Sequence, residues 1–328
     1  MSTEVLKEQE VLEQQPETPA AVPPKKKKYR SQKGAEITSL VLSYVVLSIL
    51  AVVWIIPILW IVLTAFRGGL DNGHGIVSSD YFPTSFGIDA FKELFTGSWL
   101  GVDFYFLRWF ANTLVIAVVD CVVSTLLVLS VAYCMSKLRF KMRKAFMNIT
   151  MILGLFPGFM SMIAIYYLLK SFGLSGNTGD SAWINLVGLV LAYSAGAGLG
   201  FQVAKGFFDV IPTSLVESAK LDGCTNSKIF WKIILPLSKP IIIYTALMSF
   251  TGPWMDFIFA KVIIGGGNPG WWTVSVGLYS MMYGNQYDAS MFTIFAAGCV
   301  VVGIPIVGLF MALQKYYVEG VTAGAVKG

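Results

Sequence analysis

Six stretches of this chain carry at most one charge apiece over lengths that a helix needs to cross a hydrocarbon core, about 20 residues for about 30 Å. They are Ile37–Phe66, Trp109–Ser136 with only Asp120, Ala145–Leu169, Ser181–Ala204, Pro240–Ala260 with only Asp256, and Ala289–Gln314. None has the polar–apolar alternation or the short length of a barrel strand. Charged residues make up 13% of the 328 residues, where a soluble domain carries about 25%. So few charges could not cover the surface of a water-soluble protein of this size. The apolar content excludes disorder over most of the length, and four Cys exclude a secreted disulfide scaffold. The fold class is therefore all-α integral membrane, with six transmembrane helices. The first stretch is too long for the core of a signal peptide and begins too far into the chain, so it reads as a retained helix.

Lys and Arg in the connecting segments orient the spans. With the N-terminus inside, 19 of the 24 basic residues fall on the inner side. They include Lys25–Lys28, the Lys137–Lys144 segment, the segment from Lys205 to Lys239, and Lys315 and Lys327. Only Arg67, Lys92, Arg108, Lys170 and Lys261 fall outside. Both termini are thus expected in the cytoplasm. Residues 1–36 read as a disordered basic tail whose KKKKYR cluster meets the anionic inner leaflet and membrane lipids. Residues 37–314 form the spanning domain, and 315–328 form a cytoplasmic tail.

The inner connection between the fourth and fifth spans is the most informative segment. Pro212 suits the first turn of a helix, and Thr213–Asp222 holds no helix breaker. Gly223 fits the left-handed position that ends a helix. Thr225 or Asn226 can cap a second helix, which Pro236 is expected to end. A helix, a glycine turn and a second helix would form a rigid bracket suited to taking force from a soluble partner.

Glu217-Ser218-Ala219, three further residues, Gly223, nine residues, Ile233, one residue and Leu235-Pro236 resemble the EAA loop of ABC-importer permeases, E-A-A-x3-G-x9-I-x-L-P. Ser218 stands where the family has its first Ala. Ala132-Tyr133 through Phe140, followed by Lys141–Lys144, resembles the inner end of the second span in carbohydrate permeases of the maltodextrin type. Phe156-Pro157 and Met162–Tyr166 resemble that family's third span, with Ala164 where Pro is common. Trp254 and Asp256-Phe257 fit a further family pattern, with Met255 in place of Asn. The tail from Gln314 to Gly328 resembles the family's C-terminus. The likeness spans about residues 37–328, and its nearest type is the maltose G-like subunit.

The resemblance implies an importer half in a bacterial cell membrane that translocates a sugar such as a maltodextrin by alternating access. It implies three kinds of protein partner and no nucleic acid: a second, paralogous permease subunit, two cytoplasmic ATPase subunits, and an extracytoplasmic solute-binding protein. ATP and Mg would be bound by the partner ATPase, with no cofactor in this chain; no G-x-x-x-x-G-K-[ST] motif occurs in it. Glu217, Ser218, Ala219, Asp222, Gly223, Leu235 and Pro236 would couple to the ATPase, and Thr322, Gly324 and Lys327 of the tail would reach between its subunits. Related permeases move glycerol phosphate and other sugars, so the solute stays open. A stand-alone carrier or channel is the alternative of another class, although it leaves the bracket unexplained. An integral-membrane enzyme would need a catalytic constellation, and no spacing of His, Cys or carboxylates offers one.

Candidates for the solute path are Asn112, Asp120, Tyr166, Tyr193, Phe250, Trp254 and Asp256. An ionisable group in a span is expensive and marks either a pathway or a hydrogen bond across helices, and Asp120 admits both roles. Asp256 lies near the outer end of its span, and Asn112 could bond between helices. Aromatic faces suit the C–H groups of sugar rings, but Trp and Tyr also anchor membrane interfaces. Trp271, Trp272, Tyr279 and Tyr283, in the outer segment Ile264–Asp288, are candidates for contact with the binding protein. His74 has no companion ligands, so no metal is expected. The four cysteines read as small apolar fillers.

Overall fold

The computed structural model describes residues 32–68, 81–99, 102–283 and 291–325, and nearly all of their regular structure is helical. His74, Lys327 and the tail through residue 31 lie outside the described residues. Two units are distinguished, Met1–Ile56 and Pro57–Gly328. The first is represented by the opening turns of α1 (Gln32–Ala65). Uninterrupted Leu, Val and Ile favour the helix, and its side chains from Glu36 to Leu59 are exposed. Pro57 lies inside α1, where the neighbouring backbone of a membrane helix tolerates it.

In the second unit, the Arg67–Arg108 segment folds rather than merely connecting. Arg67 bridges to Phe86. A short helix, α2 (Asp89–Thr96), then leads into an antiparallel pair, β1 (Ser98–Trp99) and β2 (Val102–Asp103). The central element is α3 (Phe106–Lys137), 32 unbroken residues. After it come α4 (Arg143–Leu153) and α5 (Gly158–Ser171), bent by 105°. The third apolar stretch is thus a broken helix, because Gly154 and Pro157 interrupt the hydrogen-bond ladder between them.

A 3₁₀ turn at Gly179–Trp183 leads into α6 (Ile184–Ala197), and α7 (Phe201–Val210) continues after a second such turn. Next come α8 (Thr213–Leu221), α9 (Asn226–Ile229), a π-helical turn at Phe230–Ile234, and α10 (Leu235–Leu237). An 89° bend joins this series to α11 (Lys239–Met255), which is followed by α12 (Ile258–Ile264). The outer segment contains a 3₁₀ turn, Pro269–Trp271, and a helix, α13 (Val274–Tyr283). The last helix, α14 (Met291–Ala325), runs on past Gln314 as one element. Among the described residues three helices are long and apolar enough to cross a membrane, or up to six if each bent pair is one span.

α3 is the hub, with α6, α7, α11 and α13 against it. Around its first half, Phe106, Trp109 and Ala117 join Leu94, Trp254, Leu278 and Ile294 in one buried cluster. Near its end, Val128, Leu129 and Tyr133 join Phe201, Phe208, Ile229, Phe230 and Ile234 in another. Gly277 allows α13 to approach α3 closely, since a Cβ there would stand 2.1 Å from the Trp109 ring. Val115, Val118 and Val122 of α3 stay exposed, the apolar outward face expected of a membrane helix.

Candidate functional site

The bracket is assembled at the Lys137 end of α3. Ile211 and Pro212, both extended in ψ (127° and 132°), separate α7 from α8. Val216 and Ala219 turn into the core, while Glu217, Ser218, Lys220 and Leu221 stay exposed. Leu221 is 90% exposed. Two hydrogen bonds close the helix: Gly223 N–H donates to Lys220 O at 3.0 Å, and Cys224 N–H to Ala219 O at 2.9 Å. With Gly223 at φ +78°, this is the paired closure of a Schellman turn. Thr225 Oγ1 accepts from Lys228 N–H at 3.3 Å and caps α9.

Pro236 does not end the second helix, contrary to its expected role. The chain widens into a π turn in which Leu235 N–H reaches back to Phe230 O. Pro236 then enters at the start of the next turn, where a missing N–H is tolerated. The break instead falls at Ser238, with φ −114°.

Three side chains from the last two turns of α3 hold the bracket. Tyr133 OH donates to Asn226 O at 3.0 Å, and Lys137 Nζ to Ile211 O at 2.6 Å. Ser136 Oγ donates to Asp209 Oδ1 at 2.6 Å, while Lys205 Nζ lies 2.6 Å from Asp209 Oδ2. Glu217, Lys220 and Thr213 of α8 line a cleft of about 430 Å³ whose opposite wall includes Lys137, Arg139 and Phe140.

Midway along α3, Asp120 is 4% exposed and accepts from Ser124 Oγ at 2.6 Å and from Ser194 Oγ at 3.0 Å. The neighbour of Ser194 in α6, Tyr193, donates its hydroxyl to Asp256 Oδ2 at 2.6 Å. Asp256 sits in the break between α11 and α12, where it accepts from Phe259 N–H and Ala260 N–H at 3.2 and 3.0 Å. Its own carbonyl accepts from Ser275 Oγ at 2.6 Å. Consecutive residues of α6 thus join both carboxylates of the apolar stretches into one polar seam. Phe250 and Phe110 pack against Trp254, at 6.1 and 5.1 Å between ring centroids. Trp254 Nε1 is buried without a hydrogen-bond partner among the described residues. Tyr166 lies at the edge of the cluster that contains Tyr193, next to Tyr167 and the Lys170 ammonium.

At the Phe106 end, the path candidate Asn112 is committed to the loop: its Nδ2 donates to Gly270 O and Trp272 O, each at 3.0 Å. Trp109 Nε1 donates to Pro269 O at 2.7 Å, and Val274 N–H to Thr113 Oγ1 at 2.8 Å. Trp272 stacks on Trp109, the Lys261 ammonium lies 5.1 Å over the Trp272 ring, and Arg108 lies 5.2 Å from the Trp271 ring. Tyr279 stacks on Tyr283 and packs tilted against Phe257, and Tyr283 is exposed. Thr322 and Gly324 fall in the last turns of α14.

Sequence reasoning missed Ser194, Trp109, Thr113, Tyr133 and Lys137 as parts of these networks. Only Ser124, four residues after Asp120 on the same helix face, left a local signal. Among the described residues no group of three or more His, Cys, Asp or Glu could hold a metal.

The family described as "Binding-protein-dependent transport system inner membrane component" matches residues 124–322. The chain is 34% identical over 290 residues to the galactooligosaccharides transport system permease protein GanQ of Bacillus subtilis (strain 168), covering 88% of this chain and 96% of that protein. It is 32% identical over 288 residues to the maltodextrin transport system permease protein MalD of Streptococcus pneumoniae (strain ATCC BAA-255 / R6), covering 88% and 95%. A solved bacterial ABC transporter involved in the import of the acidic polysaccharide alginate contains a similar fold. Its TM-score is 0.69 at 22% identity, covering 86% of this chain and 98% of that one. With a mostly helical apolar architecture and these relatives across most of its length, the chain belongs to the binding-protein-dependent transport system inner membrane components, the permease subunits of ABC importers.

Proposed function

We propose that this chain is one transmembrane half of an ATP-driven importer, moving an oligosaccharide by alternating access. It would pair with a second permease, two ATPase subunits that bind ATP and Mg, and an extracytoplasmic binding protein. The chain would cross the membrane six times with both termini cytoplasmic, along the six apolar stretches, with α8, α9 and α10 outside the membrane as the bracket. The oligosaccharide reading draws on relatives named for galactooligosaccharides and maltodextrin transport.

The observation that carries the proposal is the bracket: α8 ends in a Gly223 turn with Glu217 and Leu221 presented outward. An exposed carboxylate beside an exposed Leu, on a helix fixed at both ends, offers a docking surface for a soluble subunit. ATP binding would draw two such brackets together and open the cavity outward, and hydrolysis would reset it. Tyr193, Asp256, Phe250 and Trp254 would face the solute path, Asp120 would brace α3 against α6, and Trp271 and Tyr283 would meet the binding protein. The tail with Thr322, Gly324 and Lys327 would reach the ATPase.

Purification in mild detergent from the native membrane tests the assembly. An ATPase and a second permease are expected to come with the chain. Isolation of the chain alone, active with an ion gradient as its only energy source, would contradict the proposal and favour a carrier.

A further inference from the structure

α3 runs unbroken through 32 residues, about 48 Å at the helical rise of 1.5 Å per residue. Two of the other apolar helix pairs bend by 105° and 89°. A long helix without a kink transmits displacement along its axis, whereas a broken one absorbs it at the break. α3 is also bound at three levels. At one end it grips the bracket, at its middle Asp120 meets Ser194 of α6, and at its other end Trp109, Asn112 and Thr113 hold the 269–274 loop.

The grip on the bracket has a particular geometry. Tyr133 and Lys137 are four residues apart, so they lie one above the other on a single face of α3. Their acceptors are the main-chain carbonyls of Asn226 and Ile211, one just after the Gly223 turn and one just before α8. Ile211 O can be gripped this way because Leu215 N–H turns to Pro212 O instead. A single bond would leave α8 free to pivot. Two bonds, one on each side of α8, pass both translation and rotation to α3. Because the acceptors are backbone atoms, the grip is on the path of the chain itself. Tyr133 is 4% exposed, and its ring packs on Phe230 at 5.1 Å, which fixes where its hydroxyl points.

We propose that α3 is the rod that carries bracket movement to the far loop, and that Tyr133 and Lys137 are the positioning residues that fasten the bracket to it. This rests on the importer reading above. The two residues act through the bracket and do not touch the sugar; their work is to keep ATP hydrolysis and transport in step.

The test uses the complete complex in liposomes: this chain, its partner permease, the ATPase and the binding protein. Tyr133→Phe removes one oxygen and keeps the ring packing, and Lys137→Met removes the donor and keeps the stem. The readout is ATP hydrolysed per sugar imported. The ratio should rise about five-fold for Tyr133→Phe, the worth of one ordinary hydrogen bond, about ten-fold or more for Lys137→Met, whose donor is charged, and further still for the pair. The ATPase should be recovered with each variant as with the native chain, and Lys137→Arg, which keeps a donor, should restore the native ratio. A native ratio in the double variant overturns the proposal. If the double variant does not reach the membrane, a native ratio in Lys137→Met alone overturns it equally. Failure of the native chain to bring an ATPase at all would instead count against the importer reading.

Discussion

Gly223 holds φ at +78° in the bracket turn, and a Cβ built there would meet no atom within 4 Å. Substitution therefore perturbs backbone conformation without any clash, which makes the expected cost unusually clean. An L side chain in the left-handed region costs about 1–2 kcal/mol, and Asn is the best tolerated after Gly. That cost shifts the turn toward other geometries by about 5–30-fold. If only the native turn presents Glu217 and Leu221 correctly, apparent affinity for the ATPase falls by up to the same factor. The assay is titration of purified ATPase against the detergent-solubilised permease pair carrying Gly, Asn, Ala or Val at position 223. Affinity should decline in that order, Val weakest. Equal affinities across the series, or Asn binding more weakly than Val, would refute the link between turn conformation and docking.

Glu217→Lys reverses the charge at the exposed centre of α8 and should abolish uptake while the protein still inserts; normal uptake with normal ATPase association would sink this. Gly277→Ala places a methyl 2.1 Å from the Trp109 ring, an overpacking expected to cost about 1–3 kcal/mol. It should lower the thermal unfolding midpoint in detergent, and an unchanged midpoint would show that α13 is not held against α3. Deleting Thr322–Gly328 should impair transport-linked ATPase activity, and unchanged activity would remove the tail from the mechanism.

The elements legible in the sequence are those whose cause is local. Gly223 and Thr225 announce a turn and a cap because the residues that need them are two or three positions away. Pro236 misled because a proline's effect depends on the turn that receives it, and the preceding π turn supplies a tolerant position. The break at Gly154–Pro157 was masked by the uncharged run around it, since apolarity reports burial in lipid and not straightness. Asp120 and Asp256 were visible as costly groups, but their partners Ser194 and Tyr193 lie 74 and 63 residues away. Asn112, weighed as path or tether, meets carbonyls 158 and 160 residues on. Backbone acceptors carry no sequence signature, which is why Tyr133 and Lys137 were read only as the end of a span and a basic loop.

The most direct test of the account is uptake of a panel of oligosaccharides by liposomes holding the two permeases and the ATPase, with binding protein outside and ATP inside. The account predicts accumulation of at least one oligosaccharide that ceases when ATP, the ATPase or the binding protein is left out. Uptake that persists without the ATPase, driven by an ion gradient alone, would contradict it.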